Sequence, residues 1–156
     1  MTKEEIEKAQ SIAEGLINDM GIVAKVKASF DEESAVLNLD IDSEEAAVLI
    51  GFHAETLQSL QLILSLMVHQ NLGRWTKVLV NVGDYRQKRE EQLRKLALNL
   101  AMKVKFSGES QVVPNLTASE RRIVHLILTD HPDVYSESEG EGEQRQLFIK
   151  AKTVAK

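Results

Sequence analysis

Arg121 and His125 are the residues whose types and spacing most clearly suit a chemical task in this sequence. An Arg offers a planar fork of donors that fits a phosphate, and a His offers a ring N–H and a flat face on which a base can stack. Four residues apart on a helix they project about 40° apart, so both can act on one ligand. The spacing itself is common, and a solvated helix face is the competing reading. Arg122, Arg145 and Lys150 join the candidate set on charge and expected proximity. Nothing comparable supports catalysis. His53, His69, His125 and His131 show no metal-ligand spacing, and no Lys-Ser or Lys-Thr follows Gly51 as a Walker loop requires. With no cysteine there is no thiol nucleophile, disulfide framework or thiolate metal site. The expectation is a non-enzyme with no metal and no cofactor.

A helix must hold the pair, and its start is written in the sequence. Thr117-Ala118-Ser119-Glu120 is a capping box, in which the Thr hydroxyl accepts from the third helical N–H and the Glu reaches back to the cap amide. Pro114 lies upstream, where a helix could not readily run through. The helix is expected from Ala118 to about Thr129, ended by Asp130-His131-Pro132-Asp133.

Composition separates the two halves of the chain. The 156 residues are 43% hydrophobic but only 4% aromatic, so a core must be aliphatic. Residues 1–84 hold 6 Lys and Arg against 14 Asp and Glu, net −8, whereas residues 85–156 hold 13 against 10, net +3. A polyanion should prefer the second half. No stretch approaches the roughly 20 apolar residues that cross a bilayer. The opening residues Met1-Thr2-Lys3-Glu4-Glu5 are polar, with no secretory signal in view, and the expected location is the cytoplasm.

The remaining elements follow from periodicity. Residues 3–20 repeat apolar positions at helical spacing, with Thr2 and Glu5 as a capping box and Gly21 as a stop. Residues 22–30 alternate as a half-buried strand, Asp31-Glu32-Glu33-Ser34 turns, and residues 35–41 alternate again, predicting a hairpin. A short helix from Ser43 breaks at Gly51-Phe52-His53-Ala54. A longer helix spans 55–72 and a strand spans 77–82. From 85 a basic-faced helix runs to about 106. A short strand at 110–113, the capped helix, and strands at 134–138 and 146–151 complete an α+β order. The expected domains are 1–84 and 85–156, joined by the helix 85–106.

The break at Gly51 occupies the place of the GxxG loop of KH domains, whose glycines let backbone approach phosphate. Here Gly51, Phe52, His53 and Ala54 form a degenerate version, with Ala for the second Gly and no Lys or Arg between. Leu49-Ile50-Gly51 through Glu55-Thr56-Leu57-Gln58-Ser59-Leu60-Gln61 resembles the type II KH domain of the bacterial Jag proteins, also described as KhpB, EloR or SpoIIIJ-associated. Tyr85-Arg86-Gln87-Lys88-Arg89-Glu90-Glu91 resembles the family's joining helix. Glu120-Arg121-Arg122-Ile123-Val124-His125 resembles its R-three-H domain, named for the Arg-x-x-x-His pair. Ser136-Glu137-Ser138-Glu139-Gly140-Glu141 with Arg145 resembles that domain's terminal hairpin. The resemblance covers nearly the whole chain. It implies a type II KH domain (α-β-β-α-α-β) followed by a small α+β R-three-H domain with a three-stranded sheet. It also implies single-stranded nucleic-acid binding, RNA before DNA, in control of bacterial cell elongation and division, with a small single-KH protein as a known type of partner. Arg121 and His125 are its signature pair. Against the family's pattern, the expectation is that its separate N-terminal domain and basic linker are not represented in this sequence, which opens on the KH helix. The degenerate loop favours an alternative, a dimerising or scaffolding KH unit with little RNA contact through that loop.

Overall fold

In the computed structural model, which describes residues 1–152 apart from the Glu143 side chain, the chain divides into two compact units, Met1–Arg86 and Gln87–Lys156. In the first, α1 (Lys3–Asp19) begins at the expected capping box, with Thr2 accepting from the Glu5 N–H and Glu5 answering the Thr2 N–H. The antiparallel hairpin β1 (Lys25–Asp31) and β2 (Val36–Asp42) turns through 31–35, where the Asp31 carboxylate accepts from the Glu33 N–H and the Ser34 hydroxyl. A short α2 (Ala46–Ile50), the loop Gly51–Ala54 and α3 (Glu55–Leu72) lead to β3 (Lys77–Val82), which pairs parallel with β2 in the order β1-β2-β3. The parallel pair is possible because α2 and α3 form the crossover between its strands. The alternating residues Leu37, Leu39, Ile41, Val78, Val80 and Val82 pack with Leu57, Leu60, Leu64 and Val68 of α3 and with Ala9, Ala13 and Ile17 of α1.

The second unit is built on a separate aliphatic core. From α4 (Tyr85–Ser107), Leu93, Ala97, Leu100, Ala101 and Val104 recur at three- and four-residue spacing and are buried. They meet Val124 and Leu128 of α5 (Ala118–Leu128) and the inward residues of a three-stranded antiparallel sheet. Its strands are β4 (Gln111–Val113), β5 (Val134–Glu139) and β6 (Gln146–Ala151), in the order β4-β6-β5. A 3-10 turn at Gly142–Gln144 lies between β5 and β6. Each fully buried Leu, Ile or Val contributes about 1.5–3 kcal/mol. The nine Leu, Ile and Val residues of this core among the described residues therefore outweigh any ion pair on its surface and fix α5 against the sheet. The expected class, α+β, is the observed one.

Strand parity then decides which polar residues meet α5. Val134 of β5 and Leu147 and Ile149 of β6 are buried. Successive strand residues point to opposite faces. Ser136 and Ser138 therefore share the helix-side face with Val134, while Tyr135, Glu137, Glu139, Phe148 and Lys150 occupy the other.

Candidate nucleic-acid interface

The start of α5 is held from two sides. Thr117 Oγ1 accepts from the Glu120 N–H at 3.2 Å, and Glu120 Oε2 accepts from the Thr117 N–H at 2.8 Å, completing the capping box read from the sequence. The other oxygen of Glu120 accepts from Arg89 Nε of α4 at 2.6 Å, with side chains only 29% and 14% exposed. Burial pushes the Glu120 carboxyl up. The Arg89 hydrogen bond, the Thr117 backbone bond and the Arg89 charge together outweigh it and hold the group below the usual carboxylate range. Arg89 thus commits one cation of α4 to fastening α5, across a separation of 31 residues that periodicity could not bridge.

Arg121 follows directly. It is half-buried, and its Nη1 donates to the Leu116 carbonyl at 2.9 Å and to the Arg145 carbonyl at 3.4 Å. These two acceptors fix the plane of the guanidinium, and its remaining N–H groups keep donor capacity for a ligand. One turn on, His125 is exposed, and its Nδ1 lies 2.8 Å from Ser136 Oγ of β5. With Nδ1 engaged by Ser136, Nε2 is the ring nitrogen left for a ligand. Arg145, exposed between the 3-10 turn and β6, donates through Nε to Ser138 Oγ at 3.0 Å. Three of the expected residues therefore belong to one connected network: Arg121 reaches the backbone of Arg145, while His125 and Arg145 each bond a serine of the same strand.

Arg122 is exposed on α5, about 60° around the axis from His125, and extends the basic surface without joining that network. Lys150 is not brought to it. It lies on the opposite face of the sheet, where its ammonium donates to Glu137 Oε2 at 2.7 Å and to Glu139 Oε1 and sits 5.8 Å from the Phe148 ring centre. The hydrogen bonds to Glu137 and Glu139 hold its pKa well above the ordinary lysine range. The expected proximity of Lys150 to Arg121 thus fails for a physical reason, strand parity. The same alternation removes two carboxylates from the Arg121–His125 side. Ser136 and Ser138 are absent from the residues expected from sequence. Their signal was available in the period-two alignment with buried Val134.

The loop Gly51–Ala54 keeps an unusual backbone. Gly51 has φ 71° and ψ −177°, and a Cβ there would meet Thr56 Cβ at 2.7 Å and collide with its hydroxyl. His53 and Ala54 both adopt left-handed φ, 49° and 61°. Each costs a non-glycine residue roughly 1–2 kcal/mol. The second position is thus left-handed although it is Ala. Phe52 is 77% exposed and packs edge-on against His53, with ring centres 4.0 Å apart.

Residues 91–151 match the R-three-H domain family, a span that includes Arg121, His125, Ser136, Ser138 and Arg145. The chain is 33% identical over 145 residues to the RNA-binding protein KhpB of Bacillus subtilis (strain 168), covering 92% of this chain and 67% of that protein. The chain belongs to the KhpB family, also called Jag. Other KhpB relatives are those of Clostridium symbiosum, 30% identical over 146 residues (94% of this chain, 66% of the relative), and Streptococcus pneumoniae serotype 2, 33% identical over 134 residues (86% and 40%). The chain therefore spans from 40% to 67% of the length of these KhpB relatives. Among the described residues no helix is long and apolar enough to cross a membrane.

Proposed function

We propose that this chain binds single-stranded nucleic acid, RNA in preference to DNA, through the α5 and β5–β6 side of its second unit, without catalysis. The observation that carries the reading is the shared network of Arg121, His125 and Arg145. Three side chains able to donate to phosphate are held by one helix flank and one strand, with Glu137 and Glu139 turned to the other face. The names of the KhpB relatives, RNA-binding proteins, support the same ligand. The setting is the bacterial cytoplasm, and the role is post-transcriptional regulation linked to cell elongation or division. Mapping the peptides that ultraviolet light crosslinks to an oligouridylate tests the interface. Crosslinks in 116–145 are expected, and crosslinks confined to the first unit would overturn it.

A second reading concerns the first unit, whose α-β-β-α-α-β order with a parallel β2–β3 pair fits a type II KH domain. Leu62, Ile63 and Leu66 stand 60%, 45% and 50% exposed on the outer face of α3. This stripe favours a protein-interaction role, as a homodimer or with a small single-KH protein. Light scattering of the full chain, alone and with such a partner, against Leu62→Glu/Leu66→Glu is the test. A strict monomer that ignores the partner would refute it.

A further inference from the structure

The two serines of β5 do more than fill the strand. We propose that Ser136 and Ser138 are positioning residues that arrange the R-three-H face to take two consecutive phosphates of a single strand, one at Arg121–His125 and the next at Arg145. This inference rests on the nucleic-acid reading above and specifies its ligand.

The geometry begins with strand parity. Ser136 and Ser138 lie two residues apart on the same face of β5, opposite Ile149 and Leu147 of β6. At the rise of a strand this separates them by about 6.7 Å. Successive phosphates of an extended single strand recur at a similar interval. Each serine holds a different donor: Ser136 Oγ lies 2.8 Å from His125 Nδ1, and Ser138 Oγ accepts from Arg145 Nε at 3.0 Å. Each contact occupies one nitrogen of the donor and leaves others for an anion: Nε2 of His125, and Nη1 and Nη2 of Arg145. Arg121 stands beside both, four residues from His125 on α5 and in contact with the Arg145 carbonyl at 3.4 Å. Each donor is thereby anchored to one of two serines a strand step apart.

Serine suits this task at both positions. A hydroxyl donates and accepts, so Ser136 can donate to a neutral His125 ring or accept from a protonated one. Either role engages Nδ1 and leaves Nε2 for a ligand. Arg121 and Arg122 lie within one turn of His125 on its own helix, whereas Glu137 and Glu139 of β5 are on the far face with Lys150. Two donor groups one strand step apart would discriminate a linked polymer from a lone phosphate or mononucleotide. Each site alone supplies few hydrogen bonds, and the linked second phosphate binds without a second loss of translational freedom.

The test uses the full chain and a fluorescent oligouridylate, with affinity read by anisotropy over a range of salt. Ser136→Ala and Ser138→Ala should each weaken binding about three- to tenfold, the range of one lost hydrogen bond. Ser136→Thr and Ser138→Thr, which keep the hydroxyl on a strand-compatible side chain, should restore most of it. Ser138→Ala should also lower the slope of log K against log salt by up to about 0.7, the contribution of one phosphate on a single strand. Replacing one internal phosphate of a uridine trinucleotide by a neutral methylphosphonate should reduce its affinity for the wild type and have little further effect on Ser138→Ala. If Arg121→Ala/His125→Ala abolishes binding while both serine variants bind as the wild type does, the serine inference is overturned and the nucleic-acid reading stands. If the Arg121–His125 variant also binds normally, the reading itself fails and the inference with it.

Discussion

Glu120 joins the fold to the proposed interface, and two substitutions separate its contributions. Glu120→Gln keeps a side chain that can close the capping box but removes the charge that meets Arg89 at 2.6 Å. A hydrogen bond between charged groups is worth about 1.5–3 kcal/mol when sheltered, and the partial exposure of this pair scales that down to about 1 kcal/mol. Glu120→Ala also loses the bond to the Thr117 N–H, a cap contribution of about 1 kcal/mol, for a total of about 2 kcal/mol. For a unit of this size each kcal/mol moves the melting temperature by about 4–8 °C. The single tryptophan, Trp75, belongs to the first unit, so its fluorescence is an internal control. Hydrogen exchange of α5 and β5–β6 peptides during a thermal ramp reports the second unit. The exchange midpoint should fall by about 4–8 °C in Gln and twice that in Ala, with the Trp75 transition unmoved. The folded-state pKa of Glu120 is depressed, so its stabilisation is complete above the unfolded value near 4.5 and is lost as pH falls through the folded one. The gap between wild type and Gln should therefore close below about pH 4.5. A Gln variant as stable as the wild type at neutral pH, or a gap that widens on acidification, would refute the assigned role of the Arg89–Glu120 pair.

Other substitutions probe separate features of the molecule. Ala54→Gly relieves one left-handed alanine and should raise the Trp75-monitored midpoint by about 4–8 °C, for roughly 1 kcal/mol. If the Gly51–Ala54 loop is silent for RNA, oligouridylate affinity should not change in the same variant. Lys150→Ala, on the far face, should alter RNA affinity less than about twofold, whereas Arg145→Ala should weaken it by about tenfold, the loss of about one charge-assisted contact in anisotropy titrations. Asp133→Asn removes the carboxylate that Lys105 meets at 2.8 Å at an exposed site, and α5 exchange should register at most a small change.

Much of this fold is legible in the residues because apolar period and cap chemistry agree. Thr117 with Glu120 starts α5 where the box places it, and Leu147 with Ile149 fixes which face of β6 is inward. That parity also contains the correction for Lys150, which charge and nearness along the chain obscured. What could not be read is long-range. Nothing local in Arg89 distinguishes it from the other cations of α4, yet its guanidinium is the one that reaches Glu120. Nothing in Arg145 announces that its carbonyl steadies Arg121. The Gly51 loop shows the converse limit. Alanine disfavours the left-handed region, yet Ala54 adopts φ 61° there.

In the proposed interface Arg121 and His125 contact the phosphates of a single strand. Titrating an oligouridylate into the full chain and into Arg121→Ala/His125→Ala at two salt concentrations tests it most directly. The double variant should bind at least about tenfold more weakly at low salt and show a shallower salt dependence, because one or two phosphate contacts are gone. Equal affinities and equal salt slopes for the two proteins would contradict it.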